Sequence, residues 1–157
     1  MQKISLLAAA ALLTIAPAAA MPPPLPDVEG KDAATLRAEM ESGQIDEGLM
    51  GLVYLDRIGR IDDYGPQLDA VIATMSQTEL SAEGKRLYGE RMAGKARGPL
   101  HGIPVLLKDN IEAAGPLATT AGSLALKDNV TNRDAPLVSR LRDAGAIILG
   151  KTNLSEW

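Results

Sequence analysis

Lys108 stands directly behind the apolar run Ile103-Pro104-Val105-Leu106-Leu107, and a strand over those positions carries its ammonium to the strand's carboxyl end. Open α/β sheets take up ligands at that edge. Partial burial disfavours the charged form of a lysine and lowers its pKa, which can turn an ordinary cation into a base at neutral pH. Such a base can take a proton from a serine hydroxyl and make it a nucleophile without any histidine. Asp109 and Asn110 follow immediately, so on composition and spacing alone a structural ion pair or a solvated strand end is the simpler account of Lys108.

Other reactive groups are scarce. Cysteine is absent, which excludes disulfides, thiolate nucleophiles and cysteine-based zinc sites. His101 is the single histidine, too few for a multi-histidine metal site or a conventional Ser-His-Asp triad. Its setting, Pro99-Leu100-His101-Gly102, predicts a structural role in a turn. Gly145-Ala146-Ile147-Ile148-Leu149-Gly150-Lys151-Thr152 matches G-x-x-x-x-G-K-[ST] letter for letter. A phosphate-binding loop, however, follows a strand and opens a helix whose N-terminus faces the anion. Here a helix pattern ends at Gly145 and the four variable positions read as an apolar strand, so no nucleotide site is expected. Asn129-Val130-Thr131 and Asn153-Leu154-Ser155 match glycosylation sequons, a pattern too common to carry weight.

The elements that must position these groups follow from periodicity. Leu36 and Met40 predict a short amphipathic helix from Asp32 to Ser42, closed near Gly43. Leu49, Leu52, Val53, Leu55 and Ile58 keep a 3.6-residue beat between Asp46 and Asp63, and Tyr64-Gly65-Pro66 ends that helix. Leu68 to Ile72 has the length of a strand, though a helical start has the same pattern. Residues 77–97 carry Leu80, Leu87 and Met92 among many charges, which predicts an exposed helix. Ile103 to Leu107 reads as a strand buried on both faces, with Pro104 at its start or at a sheet edge. Asp134-Ala135-Pro136 starts a helix whose buried stripe is Leu137, Val138, Leu141 and Ala144, stopped by Gly145, and Ala146 to Leu149 is the next strand. Strand, helix and strand in this order predict a βαβ unit over residues 103–150 in an α/β sheet.

Composition bounds the partners. Hydrophobic residues make up 46% of the 157, charged residues 23%, and the net charge is −4, the make-up of a globular domain rather than a disordered chain. Without a basic cluster there is no electrostatic footprint for nucleic acid. Residues 1–20 have Lys3 as their only charge, an apolar stretch from Ile4 to Ala16 and Ala18-Ala19-Ala20 at the cleavage position, the layout of a secretory signal peptide. That apolar stretch falls short of the roughly 20 residues that span a bilayer, so no membrane attachment is expected after cleavage. The expected organisation is a signal peptide over 1–20, a Pro-rich extended leader over 21–31 and a folded portion over 32–157, with a periplasmic or secreted location.

The stretch Arg97-Gly98-Pro99-Leu100-His101-Gly102-Ile103-Pro104-Val105-Leu106-Leu107-Lys108-Asp109-Asn110 is followed by Thr119-Thr120-Ala121-Gly122-Ser123, by Asp134-Ala135 and by Gly145 to Trp157. Together these blocks closely resemble the amidase signature family, and the exported layout with Leu154-Ser155-Glu156-Trp157 looks most like its peptide-amidase branch. The resemblance implies a mixed β-sheet flanked by helices, hydrolysis of a carboxamide C–N bond through a Ser–Ser–Lys arrangement, a small-molecule or peptide amide as substrate, and no cofactor. Lys108 occupies the place of the catalytic lysine. In this family the bridging serine lies in a Gly-Ser-Ser-rich loop and the nucleophilic serine in a later Gly-Gly-Ser turn, and neither motif occurs here. Ser123 and Ser155 do not fill those roles. The expectation is therefore an N-terminal, catalytically incomplete portion of an amidase truncated after Trp157. Two alternatives accompany it: the amidase-like component of an amidotransferase that works on a tRNA-linked amino acid, which the export signal opposes, and a secreted non-catalytic binding remnant of the fold.

Overall fold

Each helix begins where a short polar side chain or a proline sets the first turn. Asp32 accepts from Thr35 N–H at 2.8 Å and opens α1, Ala33–Glu41. Asp46 accepts from Leu49 N–H at 2.7 Å and opens α2, Glu47–Ile58. Ser76 and Glu79 cap each other reciprocally at the start of α3, Gln77–Met92, satisfying donors that a helix otherwise leaves unpaired. The fourth helix, α4, Pro136–Asp143, starts on a proline preset for the first helical turn. Its N-cap is Ala135; Asp134 instead accepts from Ala114 N–H at 2.7 Å and pairs with Arg142 at 3.1 Å. The computed structural model describes residues 24–155, so the expected signal peptide lies outside the described residues. From Pro24 to Lys31 the chain forms no helix or strand, and Val28 anchors it in the core.

Three strands, β1 (Val71–Thr74), β2 (Pro104–Lys108) and β3 (Ile147–Thr152), form a mixed sheet in the order β1-β3-β2. β3 is central, antiparallel to β1 and parallel to β2, and the parallel pair is bridged by α4, the expected βαβ unit. Helices cover both faces. Ile147 and Leu149 pack with Leu80 and Leu87 of α3, with Leu52 and Leu55 of α2 against them. Ile148 packs on the other face with Leu107, Ala113 and Val138 of α4. A third cluster joins Leu36 and Met40 of α1 to Met50 and Val53 of α2 and to Ile103.

Several local expectations are corrected. β2 is not buried on both faces, because it is an edge strand of this sheet among the described residues, and Leu106 is 36% exposed. Pro104, its first residue, sits where a missing N–H costs least. The first strand begins at Val71 rather than Leu68: Asp69 takes a left-handed φ of 52°, and the Asp62 carboxylate accepts from Ala70 and Val71 N–H at 2.9 and 3.0 Å, so the preceding residues turn instead of extending. Helix α2 gives way over Gly59–Asp63 to a wider π-helical turn before Tyr64. Leu137 is 46% exposed and leaves the buried stripe of α4 to Val138 and the half-buried Leu141.

α3 is half core rather than an exposed helix, because its inward stripe includes a glycine. Leu80, Gly84 and Leu87 are buried, at the i, i+4, i+7 spacing of one helix face. A Cβ on Gly84 would come within 2.6 Å of Gly48 N of α2, and one on Gly51 within 2.6 Å of Leu80 Cδ1. The two helices thus meet backbone to backbone. Gly84→Ala is expected to lower stability by about 1–3 kcal/mol through overpacking. On the same helix Gly89→Ala, where a Cβ meets nothing within 4 Å, is expected to raise it by about 0.5–1 kcal/mol. Denaturant midpoints of the two variants should move in opposite directions.

Candidate active site

Lys108 closes β2 half-buried, in register with Thr152 at the end of the parallel strand β3. The carboxyl ends of both strands therefore open on one edge of the sheet, where ligands of open α/β sheets gather. Beyond Lys108 the chain turns sharply: Ile111 N–H donates to Lys108 O at 2.9 Å, and Asp109 N–H donates to Thr152 O at 3.1 Å. Asp109 is fully buried. Its carboxylate accepts from Thr120 N–H at 3.2 Å and from the Thr120 hydroxyl, which ties the 119–121 loop to this turn. Ser123 sits on that loop, half-buried, and Ser155 is exposed beyond β3.

The residue that sequence reasoning misses is Lys151. It is 0% exposed. Its ammonium nitrogen donates to Ile111 O at 2.7 Å and to Thr119 Oγ1 at 2.8 Å, and it lies 4.0 Å from Asp109 Oδ1. Desolvation pushes its pKa below the ordinary lysine value, with Asp109 and then Glu112 pulling the other way. A β-bulge places it there. Val105 pairs with Ile148 but Leu106 pairs with Gly150, so Leu149 is an extra residue on β3. The pleat alternates between faces; the extra residue moves Lys151 from the face of Ile147 and Leu149 to that of Ile148 and Ile111. Gly150 is the glycine this bulge needs, since a Cβ would strike Ala73 O of β1 and approach Leu106 Cδ2 at 3.1 Å.

The same geometry accounts for the P-loop-like motif. Gly145, at φ 91°, ends α4 against His101, where a Cβ would lie 2.7 Å from His101 Cα. Gly150 and Lys151 belong to the ladder of β3, and the Lys151 ammonium is engaged inside the protein. His101 is likewise structural. It is 3% exposed, its Nδ1 accepts from Arg97 N–H at 3.1 Å, and its Nε2 donates to Leu87 O at 3.0 Å, fastening the turn before β2 to α3. Nearby, buried Glu47 of α2 takes Arg91 of α3 at 2.6 and 3.3 Å. Among the described residues no cluster of three or more His, Cys, Asp or Glu could hold a metal.

Burying Lys151 has a pH signature. A folded-state pKa below the unfolded one means that the unfolded chain binds more protons between the two values, so stability rises with pH there and falls again as pH drops through the folded value. The window ends at the unfolded value near 10.5. Lys151→Met is expected to remove this alkaline rise, seen as the difference in unfolding free energy between wild type and variant as the pH is raised toward 10.5. At neutral pH it should cost about 3–5 kcal/mol, because Asp109 is left buried without its partner.

The amidase family profile matches residues 53–157. A probable amidase of Arabidopsis thaliana is 45% identical over 105 residues, which are 67% of this chain and 20% of that protein. A glutamyl-tRNA(Gln) amidotransferase subunit of Azoarcus sp. (strain BH72) is 40% identical over 122 residues, 78% of this chain and 24% of its own. Among solved structures, native peptide amidase from Stenotrophomonas maltophilia superposes with a TM-score of 0.76 at 52% identity, over 85% of this chain and 26% of that one. The chain spans about a fifth to a quarter of the length of these relatives. The turn after β2, the bulged β3 and the helices around them are thus a portion of a known architecture, and the chain belongs to the amidase signature family.

Proposed function

We propose that this chain forms the lysine-bearing part of an exported amide hydrolase that cleaves a carboxamide C–N bond, with Lys108 as its general base. The observation that carries the reading is the place of Lys108, at the carboxyl end of β2 beside the end of the parallel strand β3, in a segment that matches the amidase family. In the complete enzyme two serines that do not occur in recognisable motifs within these 157 residues join it. The Lys108 amine takes a proton from the bridging serine, which takes one from the nucleophilic serine as its oxygen attacks the carbonyl carbon. The tetrahedral intermediate collapses as the relay returns that proton to the departing nitrogen, releasing ammonia or an amine. Water, deprotonated through the same relay, then cleaves the acyl-enzyme ester. Backbone donors supplied outside these residues hold the oxyanion.

Similarity to a peptide amidase favours peptide amides as the substrate class. Identity to amidotransferase subunits favours a second reading, in which the same chemistry releases ammonia for transfer to a tRNA-linked amino acid in the cytoplasm. The export layout of residues 1–20 supports the hydrolase, and with it a periplasmic or secreted location.

In the complete enzyme, Lys108→Ala is expected to lower kcat for ammonia release from an N-acylated peptide amide by about 100- to 10,000-fold, with the fold retained by circular dichroism. Turnover within a few-fold of wild type would remove Lys108 from the chemistry. Expression in a Gram-negative host should yield a mature N-terminus at Met21 by mass spectrometry of the periplasmic fraction. An uncleaved cytoplasmic product that is active only with a tRNA partner would instead establish the amidotransferase reading.

A further inference from the structure

We infer that Lys151, together with Asp109, is a positioning residue for Lys108: it fixes the turn by which the reactive lysine leaves the sheet. This rests on the functional reading above and adds to it a residue on another strand. Lys151 pairs in register with Leu107, whereas Lys108 pairs with Thr152, so adjacent positions on the pleat put the two lysines on opposite faces. Lys151 therefore acts through the backbone.

A chain of hydrogen bonds holds the backbone that follows Lys108. Lys108 O accepts from Ile111 N–H at 2.9 Å, and the Ile111 carbonyl of that same turn accepts from the Lys151 ammonium at 2.7 Å. Asp109 N–H is taken by Thr152 O, Asp109 O accepts from Ala121 N–H at 3.3 Å, and the Asp109 carboxylate holds Thr120. Thr119, the other acceptor of Lys151, belongs to the same loop, so a single ammonium joins the turn and the loop facing it. Ala121 is held at a φ of 50°, a conformation that a non-glycine residue keeps only when its surroundings enforce it.

Stability alone does not account for this arrangement. Two ionisable side chains with no water access lose their hydration, and an apolar pair of similar volume fills such a space at no loss. What an apolar pair does not provide is directional bonds to particular carbonyls and amides. A base must lie within hydrogen-bond reach of the proton it takes, and an error on the order of 1 Å costs about 100-fold in rate.

The test uses the complete enzyme with Lys151→Met and, separately, Thr119→Val, which keeps the lysine and removes one acceptor. Ammonia release from a peptide amide is measured per folded molecule. Positioning predicts that kcat falls roughly 10- to 100-fold while KM stays within about twofold. It also predicts that the same substitution on a Lys108→Ala background changes kcat by less than about twofold, since the effect passes through Lys108. An unchanged kcat in both variants, or a loss that persists undiminished without Lys108, overturns the inference while leaving the hydrolase reading intact. If Lys151→Met does not fold, Thr119→Val decides by the same criteria. Near-normal turnover of Lys108→Ala itself overturns both readings.

Discussion

A lysine without access to water has to be satisfied entirely by the protein around it. Lys151 meets that demand with a turn carbonyl from one side, a threonine hydroxyl from a loop on the other, and a buried carboxylate at 4.0 Å. Those partners are spread along the chain at 109, 111 and 119. One ammonium group therefore joins the turn and the loop at the sheet's carboxyl edge. The end of β2, the turn after it and the loop up to Ala121 cannot shift independently without breaking a bond that burial makes costly to lose.

The rest of the fold serves that interaction. The bulge at Leu149 and Gly150 rotates Lys151 to the correct face, and it requires a glycine because β1 crosses close behind. β3 is held central by cores on both faces, with α3 and α2 on one side and α4 on the other. α3 approaches α2 closely through Gly48 and Gly84. His101 and Gly145 then lock the turn before β2 to the end of α4 and to α3. Rigid elements thus surround Lys108, which lies half-buried at the sheet's carboxyl edge, an arrangement that would suit the base proposed above.

Much of this is legible in the residues. Continuous runs of Val, Ile and Leu announce β2 and the first half of β3, and Pro136 with Gly145 brackets α4, because these signals are local. The position of Lys108 at a strand end follows directly from the run before it. The depth of Lys151 does not. Alternation continued from Ile147 puts residue 151 on the wrong face, and the bulge that corrects it depends on the close passage of β1, a contact made by residues about eighty positions earlier. The inward stripe of α3 is hidden for a related reason: Gly84 contributes no hydrophobicity, and its value lies in letting another backbone approach. Composition suggests burial for Leu106 and Leu137, whereas exposure is decided by which strand lies at the sheet's edge and which helix face meets it. The resemblance to amidases rests on residues, among them Gly145, Gly150 and Lys151, that turn out to be architectural.

The state of the Lys151 side chain offers the most direct measurement. Nitrogen-15 NMR of the lysine ammonium groups, assigned by substitution and followed through a pH titration, reports both its pKa and its exchange with water. A buried ammonium, desolvated and bonded to Ile111 O and Thr119 Oγ1, predicts a Lys151 signal that titrates below the ordinary value of 10.5 and exchanges protons far more slowly than surface lysines. A Lys151 signal that titrates at the ordinary value and exchanges as fast as an exposed lysine would contradict it.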